Sequence, residues 1–287
     1  MEKSKFFDGR TLLIATKHEK NKVIAPILEK ELGVFCKVSY DFDTDLLGTF
    51  TGQIERKNDP LTTARLKCQL AMKQYNCDLA IASEGSFGPH PSSMFLPADD
   101  EILVLVDAKN DLEIVVREVS TNTNFSASKI RTEAEMLEFA EKAKFPSHGV
   151  ILRTAKNDFT DVTYSMKKGL QHHEELLIVF RRLIRKHVTV YVETDMRAMY
   201  NPTRMEIIGN AALKLVEKIK CECPNCATPG FSITEIKKGL PCEWCGSPTN
   251  SPLSAIYICK KCAFQKEELY PQNKKVEDPM YCDNCNP

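Results

Sequence analysis

Long apolar runs are missing from this sequence of 287 residues. No segment approaches the ~18 apolar residues that a membrane-spanning helix needs, so we expect no membrane partner. The opening residues, MEKSKFFDGRTLLIAT, also lack a continuous apolar region followed by a small-residue cleavage site, which is the pattern of a secretion signal. We therefore expect a soluble protein of the cytoplasm.

An excess of either charge is also absent, because Lys plus Arg and Asp plus Glu both number 39. A neutral chain gives no overall support for electrostatic capture of nucleic acid. Three common motifs are missing as well: the Walker G-x-x-x-x-G-K, the Rossmann G-x-G-x-x-G and the hydrolase elbow G-x-S-x-G. Their absence excludes those three machineries at the level of sequence motifs.

Cysteine, in contrast, is abundant: the chain has 12, of which nine lie beyond residue 220. Eight of those nine form four C-x-x-C pairs, and each such pair can present two thiolates to one metal ion. Tetrahedral zinc takes four thiolates, so eight ligands predict two structural zinc ions. The ligands are Cys223, Cys226, Cys242, Cys245, Cys259, Cys262, Cys282 and Cys285.

The order of the pairs leaves two ways to share these ligands. We favour a sequential arrangement, with the first two pairs on one ion and the last two on the other. A cross-braced arrangement, first pair with third and second with fourth, fits the spacing nearly as well. Iron is a second choice of metal, because Gly246 after the second pair is typical of rubredoxin-like sites.

The surface charge of this cysteine-rich segment indicates what it could bind. Beyond residue 220 there are seven lysines and eight acidic residues, and four thiolates on each zinc ion add negative charge. A phosphate-tracking surface needs clustered cations. The segment therefore favours stabilisation or protein docking over nucleic-acid binding.

The first 219 residues have the pattern of an α/β domain. Strands are predicted at 11–16 and 34–40, with a helix at about 22–32 between them. A second helix is predicted from Pro60 to Tyr75, because Asp59 is a good N-cap and proline suits the first helical turn. Glu101–Asp107 and Leu112–Val119 read as an antiparallel hairpin, so the sheet should be mixed.

The remaining elements continue this alternation. We predict a helix at 132–143, a strand at 148–153, a helix at 169–187, a strand at 188–193 and a last helix from Pro202 to about Lys220. The fold class is therefore α/β: one mixed β-sheet flanked by helices at 1–219. A small, double zinc-ribbon-like module follows at 220–287.

The stretch Asp78–Pro91, DLAIASEGSFGPHP, attracts attention in this domain. Its apolar start reads as a buried strand that leaves the sheet at Ser83, which would place Glu84 and Ser86 in a loop at the carboxyl end of the strand. Open α/β sheets bind ligands at such ends. Glu84 is therefore the central carboxylate of our candidate site.

Other polar residues follow neighbouring strands and are expected to converge with Glu84. Hydroxyl and lysine side chains after the first strand suit phosphate at a helix N-terminus. Carboxylates can hold Mg²⁺, and basic side chains can neutralise phosphate. The candidate catalytic residues are Glu84, Asp45 and Asp43, and the candidate substrate-binding residues are Thr16, Lys17, Lys20, Arg65, Lys67, Ser86, Arg197 and Arg204.

The sequence allows two interpretations of Arg197 and Arg204. They could clamp an anion bidentately, or they could pair with Glu193 and Asp195 as a structural network. Sequence alone does not separate a phosphate clamp from an internal ion network.

Two family resemblances follow from these residues. Through IATKHEKN, GTFTG, ASEGSFGPHP, TDMRAMYNPTRM and the final CDNCNP, nearly the whole chain resembles a bacterial family defined only as a domain of unknown function. More remotely, residues 11–90 resemble the inosine and xanthosine triphosphate pyrophosphatases through Thr16, the segment ARLKC at 64–68 and the acid-glycine pair Glu84-Gly85.

The pyrophosphatase resemblance implies roles for three residues. Glu84 would be a metal ligand or base, and Lys20 and Lys67 would contact phosphate. The sequence departs from that family at His18, where asparagine is expected, and in the position of the lysine that follows. We therefore expect a Mg²⁺-dependent hydrolase of nucleotides or phosphate esters with two structural zinc ions. The alternative is a non-enzymatic adaptor or sensor whose zinc module docks a protein or nucleic acid.

Overall fold

The structure is a computed structural model that describes residues 6–39, 58–155 and 165–287. It divides into two compact units, Met1–Val216 (unit 1) and Glu217–Pro287 (unit 2). The composition predicts a boundary at 219/220, and the contacts divide at 216/217. Among the described residues, no helix is both long enough and apolar enough to cross a membrane.

Unit 1 contains a five-stranded mixed sheet in the order β2-β1-β3-β4-β5. The first three of these strands are parallel to one another, and β4 and β5 continue the sheet in antiparallel fashion. The mixed α/β class predicted from the sequence is confirmed. The strands are β1 (Thr11–Ala15), β2 (Phe35–Val38), β3 (Leu79–His90), β4 (Ser93–Asp107) and β5 (Leu112–Ser120).

Two helices connect the parallel strands. Helix α1 (Asn21–Leu32) ends at Gly33, whose φ of 73° favours glycine. Helix α2 (Pro60–Tyr75) begins as its sequence indicates, because the Asp59 side chain accepts a hydrogen bond from Thr62 N at 3.0 Å. Small residues on α2, including Ala64 and Cys68, pack against the apolar side chains of the sheet. The face covered by α2 is called the α2 face below.

Strand β3 corrects the prediction for Asp78–Pro91. It does not leave the sheet at Ser83 but continues to His90, paired throughout with β4, so that Glu84 lies opposite Ile102 in mid-strand. The sequence prediction ended the strand because glycine and proline weaken strands. In the structure the long partner strand β4 pairs with β3 across Gly85, Gly88 and Pro89. The predicted strand-to-loop exit at Glu84 was therefore wrong.

The far end of this hairpin extends beyond the rest of the sheet. Pairing between β4 and β5 ends at Asp99 and Ser120, whereas β3 and β4 remain paired as far as His90 and Ser93. The resulting two-stranded arm exposes three consecutive apolar residues, Met94, Phe95 and Leu96.

A second sheet in unit 1 contains four antiparallel strands in the order β6-β9-β7-β8. The prediction of one sheet was therefore incomplete, because alternating elements do not show which strands pair. Two helices, α3 (Glu133–Lys142) and α4 (His173–Ile184), share an apolar core with this sheet. Its strands are β6 (Ala127–Ile130), β7 (Val150–Arg153), β8 (Met166–Leu170) and β9 (Val190–Thr194).

The predicted helix at 169–187 begins later than expected. Met166–Leu170 forms strand β8, and Gly169 adopts a φ of 69° that a helix does not allow. A side chain at this position would also collide with Tyr200, because a Cβ would lie 2.7 Å from the ring. The local sequence favours a helix from Gly169, but close packing of Gly169 against Tyr200 keeps this segment in a strand.

Helix α5 (Pro202–Lys220) begins where the sequence predicts. The Asn201 side chain accepts a hydrogen bond from Arg204 N at 3.0 Å, which satisfies a donor of the first turn. Further along, Lys214 Nζ lies 2.9 Å from the carbonyl oxygen of Arg117 and 3.1 Å from Glu118 Oε2 on β5. The Lys214 side chain therefore ties α5 to the edge strand β5 of the five-stranded sheet.

Unit 2 is built on a three-stranded antiparallel meander, β10 (Ile233–Lys238), β11 (Pro252–Ile258) and β12 (Gln265–Leu269). The C-x-x-C pairs precede, separate and follow these strands. The first three pairs share one turn: the carbonyl of the first cysteine accepts from the residue four positions later, which has a positive φ. Those residues are Ala227, Gly246 and Ala263.

Candidate functional site

The eight predicted metal ligands form two groups of four. Within each group the sulfur atoms all lie within 4.8 Å of one another. Facing sulfurs are 3.6 to 3.8 Å apart, close to the edge of ~3.8 Å that a tetrahedron with Zn–S bonds of ~2.3 Å has. The geometry thus fits zinc, and the two four-cysteine groups could bind two zinc ions.

The membership of the groups corrects the sequential arrangement. The first four-cysteine group joins the first and third pairs, and the second joins the second and fourth, so the alternative cross-braced arrangement is the one observed. The first group is Cys223, Cys226, Cys259 and Cys262, and the second is Cys242, Cys245, Cys282 and Cys285.

The meander explains the cross-brace. Because β10 and β11 are antiparallel, Ile233 at the start of β10 faces Tyr257 near the end of β11, which brings the first and third pairs together. At the opposite end, Lys238 faces Pro252 near the second pair, while Leu269 at the end of β12 faces Ser254. Alternate pairs therefore collect at opposite ends of the sheet.

Neighbouring hydroxyls prepare two of the sulfurs for metal binding. Cys226 Sγ lies 3.2 Å from Thr228 Oγ1, and this hydrogen bond is the main reason that the pKa of Cys226 falls to about 6. Ser247 lowers the pKa of Cys245 to about 6 in the same way. Thiolates are the metal ligands, so these hydroxyls favour the ligating form.

In unit 1, Glu84 lies on the α2 face of the sheet. Ala80 and Ala82, which precede it at alternate positions, belong to the apolar cluster that α2 shares with the sheet. Glu84 is buried, and its carboxylate forms an ion pair with Lys67 of α2. The predicted acid and one predicted phosphate contact are therefore adjacent, paired with each other in the interior.

The opposite face of β3 and β4 holds a larger set of buried charged residues. Lys20, which precedes α1, lies with its Nζ 3.0 Å from Ser83 Oγ and 3.9 Å from Glu101 Oε2. Arg204 of α5 donates from Nε to Glu101 Oε1 at 2.6 Å, and both side chains are fully buried. We call Lys20, Asp99, Glu101 and Arg204 the charge cluster.

Asp99 completes the charge cluster from β4. It lies two residues before Glu101, so the two carboxyl groups share a face of the strand. Burial and the neighbouring Glu101 carboxylate raise the pKa of Asp99 to about 8, whereas burial lowers the pKa of Lys20 to about 8. Asp99 and Glu101 lie within hydrogen-bonding reach of each other, so a protonated Asp99 would donate to the Glu101 carboxylate. Perturbed, buried groups of this kind are typical of functional sites.

The expected convergence of Glu84 with Arg204 was wrong. A Cβ at Gly85 would lie 2.3 Å from Glu101 Oε1 and 2.5 Å from Arg204 Nη2, so the Glu101–Arg204 pair occupies the face toward which residue 85 points. Glu84 points to the other face, because side chains alternate along a strand. The two predicted site residues therefore lie on opposite sides of the sheet.

The other predicted substrate-binding residues are distributed more widely. Arg65 pairs with Glu113 on β5, and Arg197 forms a bidentate pair with Asp195, which agrees with the structural alternative for Arg197. Arg204 also lies in an internal ion pair, but its partner is Glu101 and not the predicted Glu193 or Asp195. Both arginines are engaged within the protein.

Of the remaining predicted site residues, Thr16 and Lys17 follow β1 directly and Ser86 lies in β3. Thr16 donates from Oγ1 to the carbonyl oxygen of Lys17 at 2.8 Å, immediately after β1. Ser86 lies opposite Asp100 on the α2 face. Asp43 and Asp45 fall outside the described residues.

A small cleft adjoins the charge cluster. Phe87, whose ring lies under the Arg204 guanidinium at 5.0 Å, forms one wall, and Phe125 packs against it with ring centroids 5.7 Å apart. The cleft has a volume of about 80 Å³. Its lining residues are Phe87, Phe125, Ile151, Glu193, Thr194, Asp195, Met196 and Arg197.

Sequence reasoning missed Asp99 and Glu101. A usable signal was present in DDEILVLVD, because Asp99 and Glu101 stand two apart and therefore share a face of a strand that is otherwise mainly apolar. The strand predicted from the sequence begins at Glu101, which leaves Asp99 outside it.

Comparison with known proteins agrees with this architecture. The structure defines an α/β protein with two C-terminal four-cysteine groups that are consistent with zinc-ribbon-like modules. Residues 67–287 match the family described as Domain of unknown function (DUF6671), and the chain belongs to that family. The first resemblance seen in the sequence is thus confirmed. A search of curated proteins finds no match, and the likeness to triphosphate pyrophosphatases is not shown.

Paired cysteine substitutions should distinguish the cross-brace from a sequential arrangement. Cys223→Ser with Cys259→Ser damages only the first four-cysteine group, so metal analysis should find about one zinc ion per chain. Cys223→Ser with Cys242→Ser damages both groups and should leave almost none. Retention of one zinc ion by the second variant would contradict the observed grouping.

Substitution of Gly85 should destabilise unit 1. In Gly85→Ala the added methyl group would collide with the buried Glu101–Arg204 pair, and overpacking of this kind costs about 1–3 kcal/mol of unfolding free energy. The control is Gly88→Ala on the same strand, where no described atom lies within 4 Å, with an expected change below about 0.5 kcal/mol. Urea unfolding measures both; equal effects would refute the packing argument.

Asp99 should make stability depend on pH. Its pKa is raised from 3.8 in the unfolded chain to about 8, so its contribution is full at low pH and is lost as the pH rises toward 8. Asp99→Asn should remove up to about 1.4 kcal/mol per pH unit of this decline between pH 5.5 and 7.5. The control is Asp100→Asn, which alters the adjacent Arg117-paired carboxylate. Unfolding profiles unchanged by Asp99→Asn would contradict the prediction.

Proposed function

We propose that unit 1 binds a phosphorylated small molecule at the carboxyl end of β1, beside Ser83 of β3, and hydrolyses it, with nucleoside triphosphates as the leading substrates. The observation that carries this proposal is Lys20. It follows a parallel strand, stands at the N-terminus of α1 and is buried beside Ser83. A helix N-terminus and an ammonium group both favour phosphate.

The backbone before α1 supports a specialised role for this turn. His18 and Glu19 both have positive φ, at 64° and 62°, which is uncommon for residues other than glycine. Strained backbone of this kind clusters at ligand-binding turns. In a purely connecting turn, glycine or asparagine at these positions would remove most of the strain.

Local charge also favours an anionic ligand. Lys20, Lys67 and Arg204 contribute three positive charges around β3 and β4, against two carboxylates, Glu84 and Glu101. The raised pKa of Asp99 keeps this third carboxyl group mostly protonated at neutral pH. The excess of one positive charge in a poorly solvated region attracts phosphate.

Hydrolysis of a phosphoanhydride does not require a covalent intermediate with the protein. A positioned water and stabilisation of the charge that develops on phosphate are enough. In this proposal Lys20 neutralises phosphate at the end of β1, where the pairing of β1 with β3 stops at Ala82. The Lys67–Glu84 pair approaches the same edge of β3 from the α2 face, so Lys67 also neutralises phosphate and Glu84 orients water. Mg²⁺ arrives with the substrate. Asp43 and Asp45 are retained as candidate Mg²⁺ ligands.

We also infer that zinc fills both four-cysteine groups and is structural. Four thiolates complete a tetrahedral site and leave no position for substrate. Catalysis would therefore belong to unit 1, and unit 2 would depend on metal for its fold.

Substitution of Lys20 should test the proposed hydrolase. Purified protein is incubated with a panel of nucleoside triphosphates, with and without Mg²⁺, and released phosphate and pyrophosphate are measured. Lys20→Gln should lower kcat/KM about 100-fold, a loss of the size seen when one charge-stabilising donor is removed. Lys30→Gln, at the exposed opposite end of α1, should leave it unchanged.

Folding and charge are checked separately in this experiment. Thermal unfolding shows whether Lys20→Gln remains folded, and Lys20→Arg keeps the positive charge and should retain more activity than Lys20→Gln. Absence of both turnover and triphosphate binding in the unsubstituted protein would refute the proposal.

A further inference from the structure

Three large apolar side chains are exposed next to the second four-cysteine group. Trp244 exposes 79% of its surface, Met280 59% and Tyr281 58%. Trp244 directly precedes Cys245, and Tyr281 directly precedes Cys282. We call Trp244, Met280 and Tyr281 the collar.

The collar residues come from two segments that the structure holds together. Cys245 Sγ and Cys282 Sγ lie 3.6 Å apart in the same four-cysteine group. Glu243 N donates to the carbonyl oxygen of Glu277 at 3.0 Å, so the backbones that carry Trp244 and Met280 also meet. An apolar surface fixed by a four-cysteine group and backbone hydrogen bonds is preorganised for binding.

Comparison of the four C-x-x-C pairs shows that the fold does not require tryptophan at position 244. The residues equivalent to Trp244 in the other pairs are Asn225, Lys261 and Asn284. The two asparagines bond within unit 2: Asn225 Nδ2 lies 3.6 Å from Cys262 Sγ, and Asn284 Nδ2 lies 2.8 Å from Ser247 Oγ. Trp244 instead extends into solvent, which marks it as an interaction residue.

Charge around the collar identifies the chemistry of its occupant. Glu243, Asp278 and Asp283 are exposed carboxylates beside the collar, and a zinc ion with four thiolates would carry two further negative charges. Of the nearby cations, Lys274 is paired with Glu277, and Lys275 is exposed. The surface is therefore apolar and acidic, which repels nucleic-acid phosphate and favours a basic segment.

We propose that the collar docks a basic peptide segment of another protein that carries aliphatic side chains between its cations. A guanidinium or ammonium group would lie on the Trp244 ring, since indole is the best cation–π partner among the side chains. Aliphatic side chains would cover Met280 and Tyr281. This docking uses unit 2 alone and does not depend on the hydrolase proposed for unit 1.

The protein offers a direct reporter for this interaction, because Trp244 is its only tryptophan. The probe is a short synthetic peptide in which arginine and leucine alternate, added to the full-length, zinc-loaded protein. We expect a saturable blue shift or quenching of tryptophan fluorescence that weakens with added salt. The control peptide has glutamate in place of arginine and should leave the emission unchanged.

Two variants distinguish specific binding at the collar from nonspecific binding to exposed apolar residues. Trp244→Asn introduces the residue found in the first and fourth pairs and should weaken binding of a fluorescently labelled arginine-leucine peptide at least tenfold, as measured by anisotropy. Leu269→Asn changes a residue of similar exposure, 59%, on β12 and should leave binding unchanged. Metal analysis must find the same zinc content in both variants, which shows that unit 2 remains folded.

Three results would overturn the proposal. The first is an unchanged tryptophan emission up to millimolar concentrations of the basic peptide. The second is binding of the labelled peptide that Trp244→Asn leaves intact. The third is preferential quenching by a single-stranded oligonucleotide, which would assign the collar to nucleic acid by base stacking on Trp244.

Discussion

The buried ion pair between Glu101 and Arg204 is the constraint on which unit 1 most depends. Both side chains are fully buried, and an unpaired charge at either position would be costly in the interior. The pair therefore fixes α5 against β4. It also requires a residue without a side chain at position 85, where a Cβ would lie within 2.5 Å of both partners. Asn201 orients the same helix end by accepting a hydrogen bond from Arg204 N.

This constraint gives the charge cluster two roles that need not exclude each other. Buried ion networks hold elements together, and the same low polarity moves the pKa values of Lys20 and Asp99 toward neutrality, where groups can exchange protons. Catalysis by unit 1 would use groups whose positions the fold already fixes. In unit 2, the second four-cysteine group, which could bind zinc, lies beside the apolar collar.

Much of the local structure could be predicted from the sequence. Asp59 and Pro60 begin α2 as expected, because a capping side chain and a fixed φ act within a few residues. The hairpin between β4 and β5 and the ligands of the four-cysteine groups were also accessible, since turn and C-x-x-C geometry are local. The extent of β3 was not, because the pairing of Glu84 with Ile102 depends on a strand that follows it in the chain.

The sequence by itself determined the α/β class, most helix starts and which eight cysteines could hold metal. Only the tertiary structure decided which cysteines share a group, which face of the sheet Glu84 occupies, and that Arg204 meets Glu101 across 103 positions of the chain. The physical reason is the distance along the chain over which each kind of interaction acts. Caps, turns and side-chain periodicity act over a few residues, whereas strand pairing and burial of charge depend on partners that the chain brings together only on folding.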